Sequence, residues 1–499
     1  NEVCTYAAST GFSANIIVYL TTQFNIKIIQ ATHIINITNA GSQLAPLLGA
    51  FLSDSYIGRF WTISLGSVFS FLATVVLTLT AIISSLRPSE CSPQGTCHGP
   101  STTQYGVLYL SFALSIIGSG GISFISSAFG ADQFENETEE GMRKIQTFFN
   151  WYYFGLYSSV IIASIVIVYI QASVSWAWGF GICAVLTGIA VFMFFWGTKL
   201  YVRVRSQGSP FTALAQVVVA CVRKWNLKLP SNADDYYYGN STESARLPLT
   251  QQLRFLNKGA IKTSKDFKSE GQTNPNPWRL CAVEQAEELK SIVKTVPIWS
   301  TGIIPIIMLG QHATFSVLQA LTMDRHLGPH FQIPAASFIV FNILSSAIIL
   351  SIYDKLIVPF AARKGIKFTY LQRIGTGMFL YCIGLGVAAV VERKRLNAEK
   401  MESVGSMSAL WLIPQNVIIG LGDPFQSVGR IDFFYNEFPE TVRSTAVALV
   451  SVAGAVGYYL TSWMVTVVHK HSKWLTDDLN QSRLDYFYAL VCGLGLLNM

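Results

Sequence analysis

Three ionisable side chains, Glu2, His312 and Asp423, lie inside long apolar stretches of this sequence. An ionisable group within a bilayer is costly, so it commonly belongs to a proton relay or contacts a polar ligand. We therefore treat these three residues as candidates for proton coupling. Two other interpretations remain open. Glu2 at the edge of the membrane would titrate normally, and a lone membrane histidine is more often a hydrogen-bonded packing residue.

The stretch 411–435 combines Asp423 with other polar groups. Pro424 follows the acid directly and cannot donate a backbone N–H, which predicts a broken or kinked helix with a freed carbonyl nearby. Gln415 and Gln426 add amides to the same stretch. We expect all three polar residues to bind substrate, Asp423 foremost, although the glutamines would serve equally well in hydrogen bonds between helices.

The composition identifies an integral membrane protein. Of the 499 residues, 51% are hydrophobic and 13% are charged, with a mean hydropathy of +0.40, whereas about 25% of residues are charged in soluble domains. Apolar segments of about 20 residues, long enough to cross a bilayer as helices, recur about twelve times. The net charge of +7 is scattered and no nucleic-acid-reading motif accompanies it, so we expect no nucleic-acid partner.

The apolar segments fall into two groups of six, separated by a long polar stretch. We predict an all-α membrane protein of about twelve transmembrane helices. Residues 1–197 and 289–499 would form two six-helix bundles, and residues 198–288 a linker with amphipathic helices. The linker holds most of the loop lysines and arginines, which places it in the cytoplasm. Because the chain begins and stops inside apolar segments, we expect both ends, including the last helix, to be truncated.

This orientation puts the loop at 87–104 outside the cytoplasm. Cys91 and Cys97 lie in that loop, where an oxidising compartment permits a disulfide, so they form a candidate pair. The basic run at 393–395 opposes the orientation, because it falls on a second loop that the topology places outside.

The stretch from Gly118 to Phe134 begins as an apolar helix and ends in the hexad FGADQF. The glycines at 118, 120 and 121 leave room for neighbouring helices to approach closely. Asp132 and Gln133 are too polar for hydrocarbon, so they should mark the place where this helix reaches water.

The hexad and the run FFNWYYFG at 148–155 resemble the signature of the proton-dependent oligopeptide transporter family, and most closely its plant nitrate/peptide branch. The resemblance extends over nearly the whole chain. It implies the major facilitator fold and a secondary-type transporter that works by alternating access. It also implies a substrate site at the midplane between the two bundles.

The segment after the second span reads GAFLSDSYIGR, from Gly49 to Arg59, and resembles the gating motif of that superfamily. The resemblance implies ion pairs of Asp54 and Arg59 that hold the cytoplasmic side closed and break when the halves rock. A solvated turn is the alternative interpretation, since Gly-Arg after an aspartate is common in loops.

The chain departs from the family where transport is usually coupled to protons. The family motif ExxE followed by Arg or Lys is reduced to Glu2, because the other two positions read Thr5 and Tyr6. The lysine usual on the glycine-rich helix is Ser123. We therefore expect weak or atypical proton coupling, and we assign Tyr6 and Ser123 to substrate binding.

Aromatic and amide side chains in other spans are of the types found around organic ligands. We add these residues to the substrate-binding set: Asn150, Tyr153, Trp299, Gln311, Asn342 and Trp463. Because nitrate needs cations or many donors, the missing cations favour a neutral or cationic organic metabolite of plants, such as an alkaloid or terpenoid glycoside. A nitrate or chloride exporter is the alternative, followed by a ligand-binding transceptor without net flux and a passive anion channel.

Other function classes lack their motifs here. The sequence has no Walker phosphate loop, no zinc-spaced His/Cys cluster and no nucleophile elbow, so we predict no enzyme activity, catalytic residue, metal or cofactor. We expect a monomer in the lipid bilayer of the plasma or vacuolar membrane. Its partners would be a small-molecule substrate and, through any residual coupling, protons.

Overall fold

The structure is a computed structural model, and it describes most of the chain. The described residues are 1–89, 98–134, 138–203, 210–230, 232, 235–239, 249–263, 266, 275–365, 368–401, 407–438 and 443–499. The candidate disulfide pair, Cys91 and Cys97, lies outside them.

The N-terminal half of the described chain contains eight α-helices. They are α1 (Glu2–Ser13), α2 (Ile16–Thr22), α3 (Ile28–Leu52), α4 (Gly58–Ile82), α5 (Thr102–Ala131), α6 (Glu139–Ile162), α7 (Val168–Ser173) and α8 (Trp176–Trp196). The first predicted span is thus divided into α1 and α2 at residues 14–15. Single turns of π-helix, Ser53–Ile57 and Ala163–Ile167, connect α3 to α4 and α6 to α7.

The rest of the described chain is also mainly helical. Its elements are α9 (Pro210–Arg223), α10 (Val283–Thr301), α11 (Ile303–Leu321), the antiparallel strands β1 (His326–Leu327) and β2 (Phe331–Gln332), α12 (Ile339–Ile352), α13 (Val358–Arg363), α14 (Tyr370–Met401), α15 (Ile413–Glu437), α16 (Arg443–His471) and α17 (Leu484–Asn498). The basic run at 393–395 lies within α14, so the loop predicted there is wrong. A broken helix at Pro424 is also wrong, because α15 continues through that residue.

Nine helical stretches in the described part of the chain are long and apolar enough to cross a membrane. Some of them include two predicted spans. The stretch Ile28–Ile82, for example, has 55 residues and contains both α3 and α4. The mainly helical membrane fold is therefore confirmed, whereas the count of twelve spans stays a prediction.

The glycines of α5 permit the close helix packing that the sequence predicts. A Cβ added to Gly118 would overlap Ser70 of α4. A Cβ added to Gly121 would lie 2.7 Å from the Cα of Gly66, which also belongs to α4. Gly49 of α3 meets the α5 backbone in the same way. The helix then ends at Ala131, directly before the polar Asp-Gln pair, as predicted.

The described chain divides into two compact units. The larger contains Asn1–Ser206, Gly302–Arg430 and Ser451–Met499, and the smaller contains Gln207–Thr301 and Ile431–Val450. Within the larger unit we call residues 1–203 the N-terminal half and residues from 302 onward the C-terminal half.

The smaller unit has its own apolar core, built by α9, the 3-10 helix Arg254–Ala260 and the start of α10. A buried ion pair adjoins this core: Lys224 Nζ lies 2.8 Å from Asp266 Oδ2. The described part of the linker is therefore a packed structure with a buried core.

The two halves of the larger unit touch both between helices, as His33 of α3 and Ser462 of α16 do at 2.7 Å, and through segments that connect their helices. Lys27 Nζ lies 3.5 Å from Asp477 Oδ2, and the rings of Tyr169 and Phe331 stack with centroids 5.8 Å apart. Ser337 Oγ also donates to the Ser164 carbonyl at 3.1 Å. The predicted topology places the ion pair and the stacked rings on the external side, so the halves meet at that end of the pathway.

Candidate functional site

A cavity of about 300 Å³ lies between the two halves of the larger unit, and we call it the central cavity. Most of its wall is apolar, with Phe12 and Phe112 on the N-terminal side and Val317 and Ile339 on the C-terminal side. The polar wall groups include Ser13, Thr38, Asn39, Thr314 and Tyr458. An apolar wall with a few polar groups is the usual make-up of a site for an organic molecule.

A second cavity, of about 120 Å³, lies inside the N-terminal half and shares Phe12 with the central cavity. We call it the hydroxyl cavity. Tyr6 and eight smaller hydroxyl side chains line it: Thr5, Ser9, Ser70, Thr74, Ser115, Ser119, Ser123 and Thr187. Tyr6 and Ser123, which the sequence assigns to substrate binding, thus lie in the same cavity.

Most of these hydroxyl groups already donate their hydrogens to the backbone. Ser123 donates to the Ser119 carbonyl at 3.0 Å, and Ser119 donates to the Ile116 carbonyl at 2.8 Å. Thr187 donates to carbonyls of its own helix in the same way. Since a hydroxyl has one hydrogen and two lone pairs, these side chains present mainly acceptor oxygens to the cavity.

Glu2 is partly buried in the first turn of α1, one turn before Thr5 and Tyr6, but it does not line the hydroxyl cavity. Ser126 Oγ is the hydroxyl group nearest to the Glu2 carboxyl group, although the two do not form a hydrogen bond of good geometry. Tyr6 and Tyr152 lie within electrostatic range of this carboxyl group. Its position at the first turn of α1 leaves both interpretations of Glu2 as predictions.

A third cavity, of about 130 Å³, lies inside the C-terminal half, and we call it the amide cavity. Its polar wall is formed by His312, Ser316, Asn342, Asn416 and Tyr458. It adjoins the central cavity, since four wall residues, Tyr458 among them, are common to both. The Nε2 atom of His312 is buried without a hydrogen-bond partner.

None of the described residues that line these three cavities is an aspartate, glutamate, lysine or arginine. The cavities therefore present hydroxyl, amide, imidazole and aromatic groups to a ligand, with no permanent charge.

Asp423 is engaged by other protein groups. Tyr381 Oη donates to its Oδ1 at 2.9 Å, and the guanidinium of Arg430, two turns further along α15, lies within electrostatic range. Arg430 itself donates to the Gly302 carbonyl at 2.8 Å. The carboxyl group of Asp423 therefore already has a protein hydrogen bond, and its role in substrate binding stays a prediction.

The carbonyl that Pro424 leaves without its helical N–H partner is also satisfied. Within a helix that carbonyl belongs to the residue four positions earlier, here Gly420. Ser346 Oγ of α12 donates to it at 2.7 Å. The freed carbonyl predicted near Asp423 is thus paired through a contact between α12 and α15.

The gating motif and the FGADQF hexad meet in the structure. Arg59 NH1 lies 2.5 Å from Asp132 Oδ2, and Arg59 Nε lies 3.8 Å from Asp54 Oδ1. All three residues belong to the N-terminal half, so these contacts join α4 to α5 and to the turn before α4.

The other predicted site residues are dispersed. Gln311 donates to the Thr461 carbonyl at 3.4 Å, and Gln415 and Gln426 are buried between helices. Trp299, in the smaller unit, donates its indole N–H to the Leu449 carbonyl. Six of the predicted residues line none of the three cavities in the described structure. Three of them are exposed, namely Asn150, Tyr153 and Trp463, and three are buried, namely Gln311, Gln415 and Gln426.

Sequence reasoning missed two features of the site. The hydroxyl cavity had a readable signal, because Ser115, Ser119 and Ser123 recur every fourth residue and so share one helix face. Arg430 was overlooked although it stands seven residues after Asp423, a spacing that also places two side chains on one face.

The fold is shared with transporters of known structure. A crystal structure of an auto-inhibited POT family peptide transporter matches with a TM-score of 0.74 at 17% sequence identity, covering 100% of this chain and 95% of that one. A POT family transporter in complex with 5-aminolevulinic acid matches with a TM-score of 0.66 at 13% identity, covering 99% and 93%. These likenesses establish the fold of a membrane transporter.

The sequence assigns the chain more narrowly. The family model described as POT family matches residues 60–481, and the chain belongs to this family of transporters. Protein NRT1/PTR FAMILY 2.13 of Arabidopsis thaliana is 43% identical, covering 100% of this chain and 84% of the relative. Protein NRT1/PTR FAMILY 2.12 of the same plant is 40% identical, covering 100% and 88%. The resemblance to the nitrate/peptide branch is thus confirmed, and the protein is a multi-pass membrane transporter.

Proposed function

We propose that this transporter moves a neutral organic metabolite bearing hydroxyl groups, such as a terpenoid glycoside or an uncharged alkaloid glycoside. The observation that carries the proposal is the set of three adjoining cavities without a charged wall residue among those described. The central cavity of about 300 Å³ falls within the usual range for organic ligands, about 300–1,000 Å³. The apolar aglycone would occupy it, and the polar groups would enter the two smaller cavities.

The donor and acceptor pattern supports a neutral ligand over nitrate. Nitrate oxygens only accept hydrogen bonds, so a desolvated nitrate needs donors or cations around it. The serine and threonine hydrogens of the hydroxyl cavity are largely committed to the backbone, as Ser119 and Ser123 illustrate. Sugar hydroxyls can instead donate to the oxygens that remain.

A cationic ligand receives less support than a neutral one. The acid assigned to such a ligand, Asp423, accepts from Tyr381 and has Arg430 nearby. A protonated amine would have to share this carboxylate with Tyr381 and would lie near the positive charge of Arg430, which is unfavourable for a buried cation.

We also propose that proton coupling is weak. The family's cationic and second acidic positions are Tyr6, Ser123 and Thr5, and all three line the hydroxyl cavity. Glu2 is the acid that remains of the motif, and its Oε2 atom has no hydrogen-bond partner in the described structure. Any coupling that remains would pass through this residue.

An uptake screen tests the proposal. Purified protein in liposomes would be given a mixture of neutral plant glycosides, with accumulation measured by mass spectrometry. We expect saturable uptake that falls in Ser119→Val, because the variant removes a cavity oxygen. Ser127→Val is the matched control, since Ser127 lies on the same helix but does not line a described cavity. Binding without saturable uptake would favour the transceptor instead.

The membrane in which the protein acts is also a proposal, namely the plasma or the vacuolar membrane. A fluorescent fusion of the full-length protein in plant cells separates the two, and a signal confined to any other membrane would contradict both.

A further inference from the structure

A chain of buried polar side chains leads from α14 to the amide cavity. It starts at Glu392, passes through Gln319 and Gln415, and reaches Ser316 on the cavity wall. The first three are fully buried and the serine nearly so. Buried polar groups are costly unless they are paired, so a chain of four across one bundle calls for a function.

The charge at the start of the chain fixes the direction of its hydrogen bonds. Arg395 binds the Glu392 carboxylate through two nitrogens, at 2.9 and 2.7 Å. An ionised carboxylate only accepts, so Gln319 must turn its amide nitrogen toward it, at 2.7 Å. The amide oxygen of Gln319 then faces the opposite way.

The orientation of Gln319 in turn fixes the orientation of the hydrogen bonds between it and the amide cavity. Gln319 Oε1 accepts from Tyr488 Oη at 3.1 Å and from Gln415 Nε2 at 3.3 Å. The Gln415 nitrogen also points at Ser316 Oγ, at 3.5 Å, and Asn416 Nδ2 approaches the same oxygen at 3.5 Å. Both lone pairs of the serine oxygen are thereby occupied, so its hydrogen is left to donate.

We propose that Ser316 is a specificity-determining donor that reads an acceptor oxygen of the substrate, such as a carbonyl or ether. Glu392 is the positioning residue that holds Ser316 in the donor role through Gln319 and Gln415. The substrate class in this statement rests on the proposed function. The two ends of the ligand are then distinguished, because the hydroxyl cavity offers acceptors and the amide cavity offers this donor.

Two aryl glucosides that differ in one acceptor group test the donor role. Uptake of 4-acetylphenyl β-glucoside and phenyl β-glucoside into liposomes would be compared for each variant. We expect the wild type to have a KM about fivefold lower for the acetyl compound, the worth of one neutral hydrogen bond. Ser316→Ala should lose this preference and Ser316→Thr should keep it. A preference retained in Ser316→Ala would overturn the donor role.

A matched pair of variants tests the positioning role. Glu392→Gln should lose the preference, because a neutral amide at 392 can donate and so lets Gln319 turn around. Glu399→Gln is the control, since Glu399 also binds Arg395, at 3.1 Å, but has no hydrogen bond to Gln319 in the described structure. If Glu392→Gln does not fold, Gln319→Met breaks the same chain. Loss of the preference in Glu399→Gln as well, or its retention in both chain variants, would overturn the positioning role.

A ligand-free measurement separates failure of this inference from failure of the proposed function. If the wild type takes up neither glucoside, the proposed function fails for this class of substrate. Thermal unfolding then tests whether Glu392 and Ser316 are coupled through the hydrogen-bonded side chains between them. Ser316 and Glu392 have no direct contact in the described structure, so independent effects of Ser316→Ala and Glu392→Gln on Tm would add. We expect a combined Tm decrease smaller than the sum of the two. Additive decreases in Tm would overturn the proposed coupling between Glu392 and Ser316.

Discussion

Arg59 at the start of α4 lies 2.5 Å from the carboxylate of Asp132 at the end of α5. The sequence motifs that contain these residues lie about 70 positions apart, yet they form one ion pair. Asp54, the partner expected from the motif, is further away at 3.8 Å. The pair lies inside the N-terminal half, so it braces two helices that the glycines of α5 bring together, at the ends that the sequence predicts to be cytoplasmic.

The first prediction concerns this pair. Arg59→Ala should lower the free energy of unfolding by up to about 1 kcal/mol, because the pair is only partly buried. Asp132→Asn should have a similar effect, and the double variant should lose little more. Lys144→Ala is the control, since its ion pair with Glu140 is exposed. Thermal unfolding in detergent measures all four, and fully additive losses would show that the pair is not coupled.

We also propose that this pair contributes to the cytoplasmic gate. On that hypothesis Arg59→Ala speeds the labelling of a cysteine placed in the pathway from the cytoplasmic side. The usual size of such a conformational bias is about 1–3 kcal/mol. Labelling at the wild-type rate would leave the pair with a structural role alone.

The second prediction concerns Asp423. Asp423→Asn should destabilise the fold by about 1 kcal/mol, because the amide oxygen still accepts from Tyr381 but the hydrogen bond loses its charge. Affinity for a neutral glycoside should hardly change, since Asp423 does not line the described cavities. Thermal unfolding and glycoside binding, measured on the same preparation, check both parts. A large loss of affinity with unchanged stability would make Asp423 a substrate-binding residue after all.

The third prediction uses the contact that satisfies α15 at Pro424. Ser346→Ala should cost about 1 kcal/mol or more, because the Gly420 carbonyl is left unpaired. In a Pro424→Ala background the restored N–H can bond this carbonyl, so the same serine change should cost less. Unfolding of the four proteins forms a double-mutant cycle. Equal costs in both backgrounds would mean that Ser346 does not replace the missing backbone bond.

The membrane fold and the end of α5 could be predicted from the sequence, because they depend on the composition and residue spacing of single segments. It could not foretell the partner of Arg59 or of Asp423. Those pairings depend on which helices become neighbours, and Tyr381 and Asp132 carry no local sign of them. The hydroxyl cavity could be predicted in part. The spacing of its serines on α5 places them on one helix face, but nothing in the sequence indicates that Thr187 of α8 faces them.

The fourth prediction concerns proton coupling. Wild-type uptake of the neutral glycoside should change little with an imposed pH gradient. The triple variant Thr5→Glu, Tyr6→Arg, Ser123→Lys fills the hydroxyl cavity with the family's ionic set, and its uptake should come to depend on an inward proton gradient. Uptake into liposomes with and without a protonophore makes the comparison. Wild-type uptake that collapses with the protonophore would contradict weak coupling.

The fifth prediction concerns the smaller unit. Burial raises the pKa of the Cys281 thiol to about 12, so the thiol stays protonated, and therefore unreactive, well above neutral pH. We expect N-ethylmaleimide to label Cys281 very slowly at pH 8 in the folded protein and rapidly in urea. Mass spectrometry of the tryptic peptide measures the rate. Rapid labelling of the folded protein would mean that this core opens readily.

The central claim, that the uncharged cavities select a neutral organic ligand over nitrate, is tested most directly by competition in one preparation. Liposomes containing the wild-type protein would receive 4-acetylphenyl β-glucoside together with an excess of isotopically labelled nitrate, and both solutes would be measured inside. We predict saturable glucoside uptake that nitrate does not inhibit, with nitrate entering no faster than in protein-free liposomes. Saturable nitrate uptake without glucoside uptake would contradict the account.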